Sequence, residues 1–342
     1  MRRLRVLVLM HQALVPPPSL EGHTKKEIGE WRMEFDVLAA LNRLGHEVIP
    51  LGVEDELGPV RRALKEHSPH IVFNLLMHFH DAGVYDSAVV GWLELMKVPY
   101  TGCNPRGLLL AGDKALSKKI LGHHRIRAPR FAVYRLGRSV RRDPRKLRYP
   151  LIVKSQSEHA STGISQASIV RNLKALAERV EFVHSNVGTG AIAEEFIEGR
   201  ELTIGILGNR RLTALPVWEM TFGNLPAGAP SIATARVKWD LRYQRQIQLK
   251  THAAIDLPEG EARCIADLGR RVYRALELSG FARIDLRLDG QGRVWVLEAN
   301  PNPDLCAGED FARSARETGL EYDGLIQRLL GLGLAHVPPW KV

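Results

Sequence analysis

One short stretch of the chain, residues 281–304 (FARIDLRLDGQGRVWVLEANPNPD), combines an arginine with several oxygen-bearing side chains at regular spacing. Arg283 and Asp285 stand two residues apart, and Glu298 and Asn300 repeat that spacing further along. Carboxylate and amide oxygens suit Mg²⁺, which favours one or two carboxylates together with substrate phosphates. The same residues could instead form a solvated sheet face with an Arg–Glu cross-strand pair, which would contribute little to stability. Taken alone, the stretch leaves both interpretations open.

The surrounding sequence predicts a β-hairpin that would hold these four side chains on one face. Two strand-like runs, 281–288 and 293–299, flank the turn-forming residues 289–292. Symmetric closure of this loop would place Arg283 opposite Glu298. Because side chains alternate along a strand, the other face would pack on the core through Ile284, Leu286, Trp295 and Leu297.

Bulk composition restricts the class of protein. The chain has 342 residues, of which 45% are hydrophobic and 25% charged, as in ordinary globular proteins. No apolar run approaches the roughly 20 residues that span a bilayer, so no membrane association is expected. The N-terminal run VLVLM, followed by prolines, predicts a buried first strand rather than a signal peptide. Three cysteines without metal-ligand spacing favour a reducing, cytoplasmic location.

The net charge of +10 permits contact with nucleic acid, but the distribution of basic residues does not favour it. The densest basic patch lacks the interleaved aromatic residues that stack on bases; it consists of Arg141, Arg142, Arg145 and Arg148. An anionic small molecule such as a nucleotide explains the positive charge equally well. No nucleic-acid partner is therefore predicted.

Alternating strands and helices in the first third of the chain predict an α/β domain with a parallel sheet, and the later parts read as α+β. The predicted strands of the first third are 5–10, 47–51 and 70–76, and the main predicted helices are 27–45, 56–67, 84–96, 106–123, 171–183, 259–278 and 311–331. Boundaries near 103 and 187 divide the chain into an N-terminal domain of residues 1–103, a central subdomain of 104–187 and a C-terminal subdomain of 188–342.

Two further segments place charged residues where strands end. Lys154 ends the apolar run YPLIVK before a small, polar loop, and an ammonium there suits phosphate binding. Glu194 and Glu195 close a second strand, Gly199 turns the chain, and Glu201 opens the next strand. These carboxylates could hydrogen-bond an amine and a sugar diol. Taken alone, each segment is explained better by solvent-exposed charge.

The order of these motifs resembles the ATP-grasp superfamily and, within it, the D-alanine–D-alanine ligase family. The series runs from Lys114 through Lys154 and Glu194 to Glu201, and then to the predicted hairpin. The resemblance is strongest over residues 99–300. It implies an ATP-grasp fold, in which the N-terminal parallel-sheet domain is followed by two α+β subdomains that sandwich ATP.

The resemblance also implies a role for each residue that matches the family's motifs. The residues that would bind ATP are Lys114, Lys154, Glu194, Glu195, Ile197, Glu201 and Lys238. Those that would hold two Mg²⁺ ions, for which Mn²⁺ could substitute, are Asp285, Glu298 and Asn300. The catalytic residues would be Arg283, Lys154 and Ser161, with Ser161 in a loop (157–163) that closes over the phosphates.

The implied reaction joins a carboxylate to an amine at the expense of ATP. Transfer of the γ-phosphoryl group to the carboxylate gives an acyl phosphate, which the amine attacks to give an amide, ADP and phosphate. Arg283 would stabilise the oxyanion of the tetrahedral intermediate, and closure of the loop would keep water from the acyl phosphate. The resemblance further suggests a homodimer.

The sequence departs from the family on the substrate side. A longer, proline-rich segment replaces the N-terminal signature, and Pro301-Asn302-Pro303-Asp304 stands where the family continues Thr-Ser-Pro-Gly. Candidate substrate contacts are His80, Asp81, Asn302 and Asp304, with Glu27 the candidate for a substrate-binding glutamate. An amino acid or a small amino-acid-like acid is the predicted substrate. The alternatives are a ligase that joins an amino acid to a peptide or secondary-metabolite carboxylate, and a nucleotide-binding protein with altered catalysis.

Overall fold

The structure, a computed structural model, describes residues 3–80, 82–158, 162–226, 228, 230–258 and 260–341. These residues form three β-sheets with helices packed against them. The first sheet is parallel and the other two are antiparallel, which agrees with the predicted change from α/β to α+β. No helix in the described ranges is long and apolar enough to cross a membrane.

The N-terminal part is a three-stranded parallel sheet with the strand order β2-β1-β3. Its strands are β1 (Arg5–His11), β2 (Glu47–Val53) and β3 (Ile71–Asn74). Its helices are α1 (Lys25–Glu30), α2 (Arg32–Arg43), α3 (Gly58–His67) and α4 (Asp86–Leu95). The five inner residues of β1 are all buried, as expected for a parallel strand covered on both faces. The carboxyl ends of the three strands therefore share one edge of the sheet.

The predicted helix 106–123 is divided into α5 (Pro105–Gly112) and α6 (Lys114–His123). Asp113 separates them because its backbone is extended, with φ −93° and ψ 106°. Its side chain accepts hydrogen bonds from the backbone amides of two residues in the first turn of α6, which makes it a helix cap. The break places Lys114 at the first position of α6. The prediction of one continuous helix was wrong because the capping function of Asp113 was overlooked.

The second sheet has four antiparallel strands in the order β4-β7-β5-β6. They are β4 (Phe131–Tyr134), β5 (Leu151–Ser155), β6 (Ile169–Val170) and β7 (Ala191–Glu195), with helix α7 (Leu173–Phe182) packed against them. The strand β7 follows the predicted boundary at residue 187 but belongs to this sheet. A separate hydrophobic cluster lies beneath the sheet and includes Leu151, Val153, Leu176 and Val180. The second sheet therefore has a core of its own.

The third sheet has the strand order β11-β10-β8-β12-β13, and β9 pairs with β8 off this path. Its strands are β8 (Arg200–Leu207), β9 (Thr213–Ala214), β10 (Trp218–Phe222), β11 (Leu249–Ala253), β12 (Phe281–Leu288) and β13 (Val294–Pro301). The helices of this part are α8 (Ala235–Trp239), α9 (Leu241–Gln246), α10 (Glu261–Ala275), α11 (Asp310–Arg316) and α12 (Tyr322–Ala335). One hydrophobic cluster joins α12 to β1 and α2, so the first and third sheets share a core.

Two more predicted helices are each divided in the structure. The segment 27–45 forms α1 and α2, which meet at Trp31, and the helix ends at Arg43. The segment 311–331 forms α11 and α12, which are separated by a turn that contains Gly319 at φ +80°. A left-handed residue cannot continue a right-handed helix, and glycine adopts this conformation without strain.

The hairpin of β12 and β13 forms as predicted, but its register differs. The side chain of Asp289 accepts hydrogen bonds from the amides of Gln291 and Arg293, and the loop spans residues 289–293, one residue more than the predicted closure. A β-bulge then inserts Leu297 as an extra residue on β13. Arg283 consequently lies opposite Asn300 rather than Glu298, which was the predicted partner.

Because of the bulge, the residues of β13 that face the core differ from those predicted. Ile284 and Leu286 are buried as predicted, but their neighbours on β13 are Val296 and Ala299. Trp295 and Leu297, which were predicted to be core residues, are only partly buried. The Trp295 indole donates a hydrogen bond to Asp289 in the turn.

Candidate active site

A buried cluster of lysines meets Glu194 where the second sheet faces β13 of the third. Lys154 on β5 and Glu194 on β7 lie diagonally across the strand pair, since Glu194 is opposite Ile152. The Lys154 ammonium donates a hydrogen bond to Glu194 Oε2 at 3.1 Å. Lys118 on α6 places its ammonium 3.4 Å from Glu194 Oε1. Both lysines and the glutamate are buried, so this interaction is shielded from solvent.

The opposite charges of this cluster stabilise each other's ionised forms. Burial alone would raise the pKa of Glu194, but Lys118 and Lys154 outweigh it, so the pKa of that carboxyl is lowered. Burial opposes the charged form of Lys154 as well, yet the charges of Glu194 and Glu298 raise its pKa. For Lys114 and Lys118, burial dominates and lowers the pKa. Three basic groups thus face two carboxylates, which leaves positive charge for an anionic ligand such as a polyphosphate.

Lys114 connects this cluster to the hairpin. Its ammonium lies 3.8 Å from Glu298 Oε2 on β13 and donates a hydrogen bond to the backbone carbonyl of Glu158 at 2.5 Å. Its backbone amide is held by the carbonyl of Gln156, in the loop that follows β5. The position of Lys114 is therefore fixed by the loop after β5 as well as by the helix cap at Asp113.

Lys118 is a site residue that sequence reasoning missed. Besides its contact with Glu194, its ammonium donates a hydrogen bond to the carbonyl of Leu297, the extra residue of the bulge, at 2.6 Å. The signal was present in the sequence, because Lys118 follows Lys114 by four residues and lies on the same face of a helix. The contact joins the helix α6, the second sheet and the hairpin at one point.

The hairpin brings together the four residues that the sequence singled out. Arg283 donates two hydrogen bonds to Asp285, from Nε to Oδ1 at 2.7 Å and from Nη2 to Oδ2 at 3.0 Å. The Asn300 amide nitrogen donates to Asp285 Oδ2 at 2.9 Å. Glu298 lies directly opposite Asp285 across the strand pair. Burial opposes the charge of Arg283, but Asp285 outweighs this effect, so the pKa of the guanidinium is raised and it stays charged.

These hairpin residues offer ligands that fit Mg²⁺. Asp285 and Glu298 face each other and supply carboxylate oxygens, and the oxygen of the Asn300 amide adds a third hard donor. Across the described parts of the chain, no three His, Cys, Asp or Glu side chains form a cluster that could hold a metal ion. This donor set suits a cation that keeps some of its waters and completes its coordination with phosphate oxygens.

Glu201 is paired with an arginine that the sequence analysis did not single out. Arg287 lies opposite Glu201 across β12 and β8 and donates a hydrogen bond to Glu201 Oε2 at 3.0 Å. The same guanidinium donates to the carbonyls of Gly199 and Ser231. Burial raises the pKa of Glu201 although Arg287 opposes this effect. Arg287 thus fixes both the side chain of Glu201 and the turn before it.

The remaining residues predicted to contact ATP lie around this cluster. Glu195 ends β7 and accepts a hydrogen bond from the backbone amide of Arg148 at 3.0 Å, so its side chain is engaged outside the lysine cluster. Ile197 is partly buried just beyond β7. Lys238 on α8 is near enough to Glu201 for its charge to act on that carboxyl.

The predicted substrate residues are distributed over two places. His80 is exposed after β3 and borders an apolar cavity of about 250 Å³, whose other lining residues are Leu57, Phe79, Tyr85, Ala88 and Val89. Asn302 and Asp304 follow β13 at the far end of the hairpin. Asp81 and Ser161 lie outside the described residues, as do His159 and Ala160 in the loop that carries Ser161.

Asn302 has a structural contact that the sequence did not reveal. Its amide oxygen accepts a hydrogen bond from the backbone amide of Cys103 at 2.8 Å. A Cβ on Gly102, which has φ +96°, would lie 2.5 Å from this oxygen, so the close approach requires glycine. Asn302 therefore anchors the chain after β13 to the segment between α4 and α5.

Comparisons with known proteins agree with this architecture. A family model described as "D-ala D-ala ligase C-terminus" matches residues 133–331. The D-alanine–D-alanine ligase of Desulforudis audaxviator is 32% identical over 299 residues, which cover 86% of this chain and 90% of that protein. The uncharacterized protein y4sG of Sinorhizobium fredii is 30% identical over 305 residues, with 87% and 86% covered.

A solved structure supports the same fold. D-alanine–D-alanine ligase from Bacillus anthracis, complexed with ATP, superposes with a TM-score of 0.73 at 22% identity and covers 97% of both chains. The fold is therefore ATP-grasp, and the protein is an ATP-dependent carboxylate–amine ligase that forms ADP. Because the family model matches more than half of the chain and a relative matches most of it, the chain belongs to the D-alanine–D-alanine ligase family.

Proposed function

We propose that this ligase holds ATP between its second and third sheets and activates a small carboxylate for attack by an amine. The observation that carries the proposal is the buried cluster of Lys114, Lys118, Lys154 and Glu194, which faces Glu298 across 3.8 Å. A structural ion pair needs one lysine for each carboxylate. An excess of buried ammonium groups beside a carboxylate-bearing hairpin suits a polyphosphate instead.

Each residue of the cluster has a proposed role toward ATP. Lys114 and Lys154 contact the phosphates, and Glu194 binds the adenine together with the backbone of residues 195–197. Glu201, oriented by Arg287, accepts hydrogen bonds from the ribose hydroxyls. The pKa of Glu201 is raised because Arg287 only partly offsets its burial, so further donors from a ligand would stabilise its charged form. Lys238 contributes a further positive charge from α8.

Asp285, Glu298 and Asn300 are the proposed ligands of two Mg²⁺ ions, for which Mn²⁺ could substitute. Bound Mg²⁺ would neutralise phosphate oxygens during phosphoryl transfer. The lysines and Arg283 provide the remaining positive charge. Arg283, held by Asp285 at 2.7 Å, is then positioned to stabilise the oxyanion that forms when the amine attacks. Ser161 is proposed to act from the loop over the phosphates.

The proposed substrates are an amino acid or a small amino-acid-like acid and an amine. This rests on the names of the curated relatives, several of which are D-alanine–D-alanine ligases. Joining an amino acid to a peptide or to a secondary-metabolite carboxylate uses the same chemistry and is the alternative. We further propose that the protein acts in the cytoplasm as a homodimer, without a membrane or nucleic-acid partner.

Release of ADP and phosphate from Mg²⁺-ATP tests the proposal directly. The assay takes a panel of D- and L-amino acids and small carboxylic acids, alone and in pairs, and the products are identified by mass. ADP release that requires both an acid and an amine supports it, and Glu298→Gln should lower the rate by at least about 10²-fold. Release that no substrate stimulates, together with an unchanged rate in Glu298→Gln, would reject it.

A further inference from the structure

Four carboxylates gather beside the end of β13, where the chain departs from its family. They are Glu34 on α2, Asp304 in the loop after β13, and Glu309 and Asp310 at the start of α11, and we call them the acidic cluster. The charge of Asp304 acts on both Glu34 and Glu309. The loop between Asp304 and α11 is held against α2, because Asp36 accepts a hydrogen bond from the amide of Ala307 at 3.0 Å.

The acidic cluster adjoins the catalytic arginine. The charge of Asp310 acts on Arg283, and the charge of Arg283 acts in turn on Glu309. Arg283 is already bound by both oxygens of Asp285, so its charge is shared between Asp285 and the cluster and offsets the cluster only in part. A molecule bound against these carboxylates would therefore lie next to the reacting centre.

Glu34 gives the cluster a second, independent feature. Its side chain is almost completely buried, with 2% of its surface exposed, and its Oε1 has no hydrogen-bond partner. The preceding residue, Met33, lines a narrow crevice together with Asn302, Pro303 and Leu305, next to Asp304. A buried carboxylate oxygen without a donor is costly, so a donor supplied by a ligand would be favourable here.

The neighbouring cations offset the negative charge of the cluster only in part: Arg283 and Arg313 both act on Glu309, yet its pKa is still raised to about 7 by burial and by the neighbouring carboxylates. Arg32 is bound to Asp36 at 2.8 Å, and Arg313 donates to Thr251 and stacks over Trp218. Burial first, and then the charge of Asp304, raises the pKa of Glu34 to about 7. The acidic cluster thus carries more negative charge than its surroundings balance.

The dispersed arrangement favours an organic cation over a metal ion. No group of three His, Cys, Asp or Glu side chains in the described segments converges closely enough to hold a metal. An ammonium or guanidinium group donates several hydrogen bonds to carboxylates spread around it, whereas a metal requires them within about 2–2.6 Å.

We propose that the acidic cluster binds a cationic group of the amine substrate, so that the preferred acceptor carries a second, positively charged nitrogen, as in a basic amino acid or a diamine. This inference rests on the proposed function, since it names the class of one of its substrates. One nitrogen remains protonated and is held by Glu34 and Asp304. The other, uncharged, attacks the acyl carbon of the acyl phosphate.

The chemical step is balanced without any additional reactant. The attacking nitrogen forms a C–N bond as the C–O bond to the phosphoryl group breaks. The proton that this nitrogen loses is taken up by the departing phosphate, and the anchored ammonium takes no part in bond formation. The acidic cluster acts on the binding of the acceptor and on its selection, and Arg283 remains the group that meets the oxyanion.

Calorimetric binding of matched ligands to the Mg²⁺-ADP-loaded protein tests the inference without knowledge of the acid substrate. Each pair differs by one cationic group: lysine against norleucine, ornithine against norvaline, and putrescine against butylamine. For at least one pair, the dication or basic amino acid should bind at least about tenfold more tightly. Glu34→Gln and Asp304→Asn should each remove that difference, whereas Glu178→Gln, an exposed carboxylate on α7, should leave it unchanged.

The outcomes separate this inference from the proposed function. Equal or absent binding within all three pairs, or a preference that persists in both Glu34→Gln and Asp304→Asn, would overturn the inference. If the neutral members of the pairs stimulate ADP release and the cationic members do not, the ligase function stands and the acidic cluster does not select cations. If no acid and amine stimulate ADP release, the proposed function itself fails.

Discussion

Replacing Glu34 with glutamine should stabilise the protein, and by an amount that depends on pH. The pKa of Glu34 is raised from 4.5 to about 7 by burial and by Asp304. The folded state therefore holds the proton more tightly than the unfolded state. Stability is unaffected below about pH 4.5 and falls as the pH rises toward 7, because folding then requires an unpaired charge to be buried.

The size of the effect follows from this pKa change. Each pKa unit corresponds to about 1.36 kcal/mol, so the raised pKa lowers the free energy of unfolding by about 3 kcal/mol above neutral pH. Glutamine has nearly the same shape and no charge. Glu34→Gln should accordingly be about as stable as the natural protein near pH 4.5 and more stable by up to about 3 kcal/mol near pH 8, a rise in Tm of several degrees.

Thermal melts of both proteins at several pH values between about 4.5 and 8 provide the test. Glu178→Gln, which removes an exposed carboxylate from α7, controls for the change in net charge and should shift Tm little at any pH. A stabilisation by Glu34→Gln that is the same at all pH values would refute the reasoning. A loss of stability near pH 8 would show that the charged form of Glu34 has a favourable partner.

Two further substitutions test contacts that hold the site together. Lys118→Met removes the cation beside Glu194 and the hydrogen-bond donor to the carbonyl of Leu297, so the KM for ATP should rise at least about tenfold and Tm should fall. Lys119→Met, on the exposed side of α6, should change neither. An unchanged KM for ATP in Lys118→Met would contradict this role. Gly102→Ala places a Cβ 2.5 Å from the Asn302 oxygen in a left-handed conformation and should destabilise the fold by about 1–3 kcal/mol in a denaturant titration, so a neutral result would show that the loop shifts freely.

The sequence predicted which residues share one face of the hairpin better than it predicted their cross-strand partners. Arg283, Asp285, Glu298 and Asn300 do share one face of a hairpin, because the alternation of side chains survives a shift of register by two residues. Their partners could not be predicted, since the bulge at Leu297 depends on contacts from elsewhere in the chain. One of these contacts is the ammonium of Lys118, which is 179 residues distant in sequence.

The acidic cluster shows a different limit of sequence reasoning. Glu34 lies on a helix far from Asp304 in the sequence, and no local pattern connects the two. Glu27, the glutamate proposed from sequence for substrate binding, instead caps α1 through a hydrogen bond from the amide of Thr24 at 2.7 Å. Only the shared core of the first and third sheets brings α2 beside the loop after β13.

Local capping was also underestimated. The charge run around Lys114 reads as one amphipathic helix, but Asp113 is an effective helix cap and divides it. The division matters for the candidate site, because it directs Lys114 toward Glu298 from the first turn of a helix. Capping residues within an apparent helix therefore carry information about the active site as well as about helix length.

Positional isotope exchange in ATP tests the central claim most directly. ATP labelled with heavy oxygen in the bridge between its β- and γ-phosphorus atoms is incubated with the enzyme, Mg²⁺ and one carboxylate at a time, without an amine. Reversible formation of an acyl phosphate lets the β-phosphate of bound ADP rotate, so the label should scramble in the presence of an accepted carboxylate, and Glu298→Gln should suppress it. If no carboxylate causes scrambling while ADP release with an amine proceeds, phosphoryl transfer to the acid is not the first step, and the acyl-phosphate mechanism is contradicted.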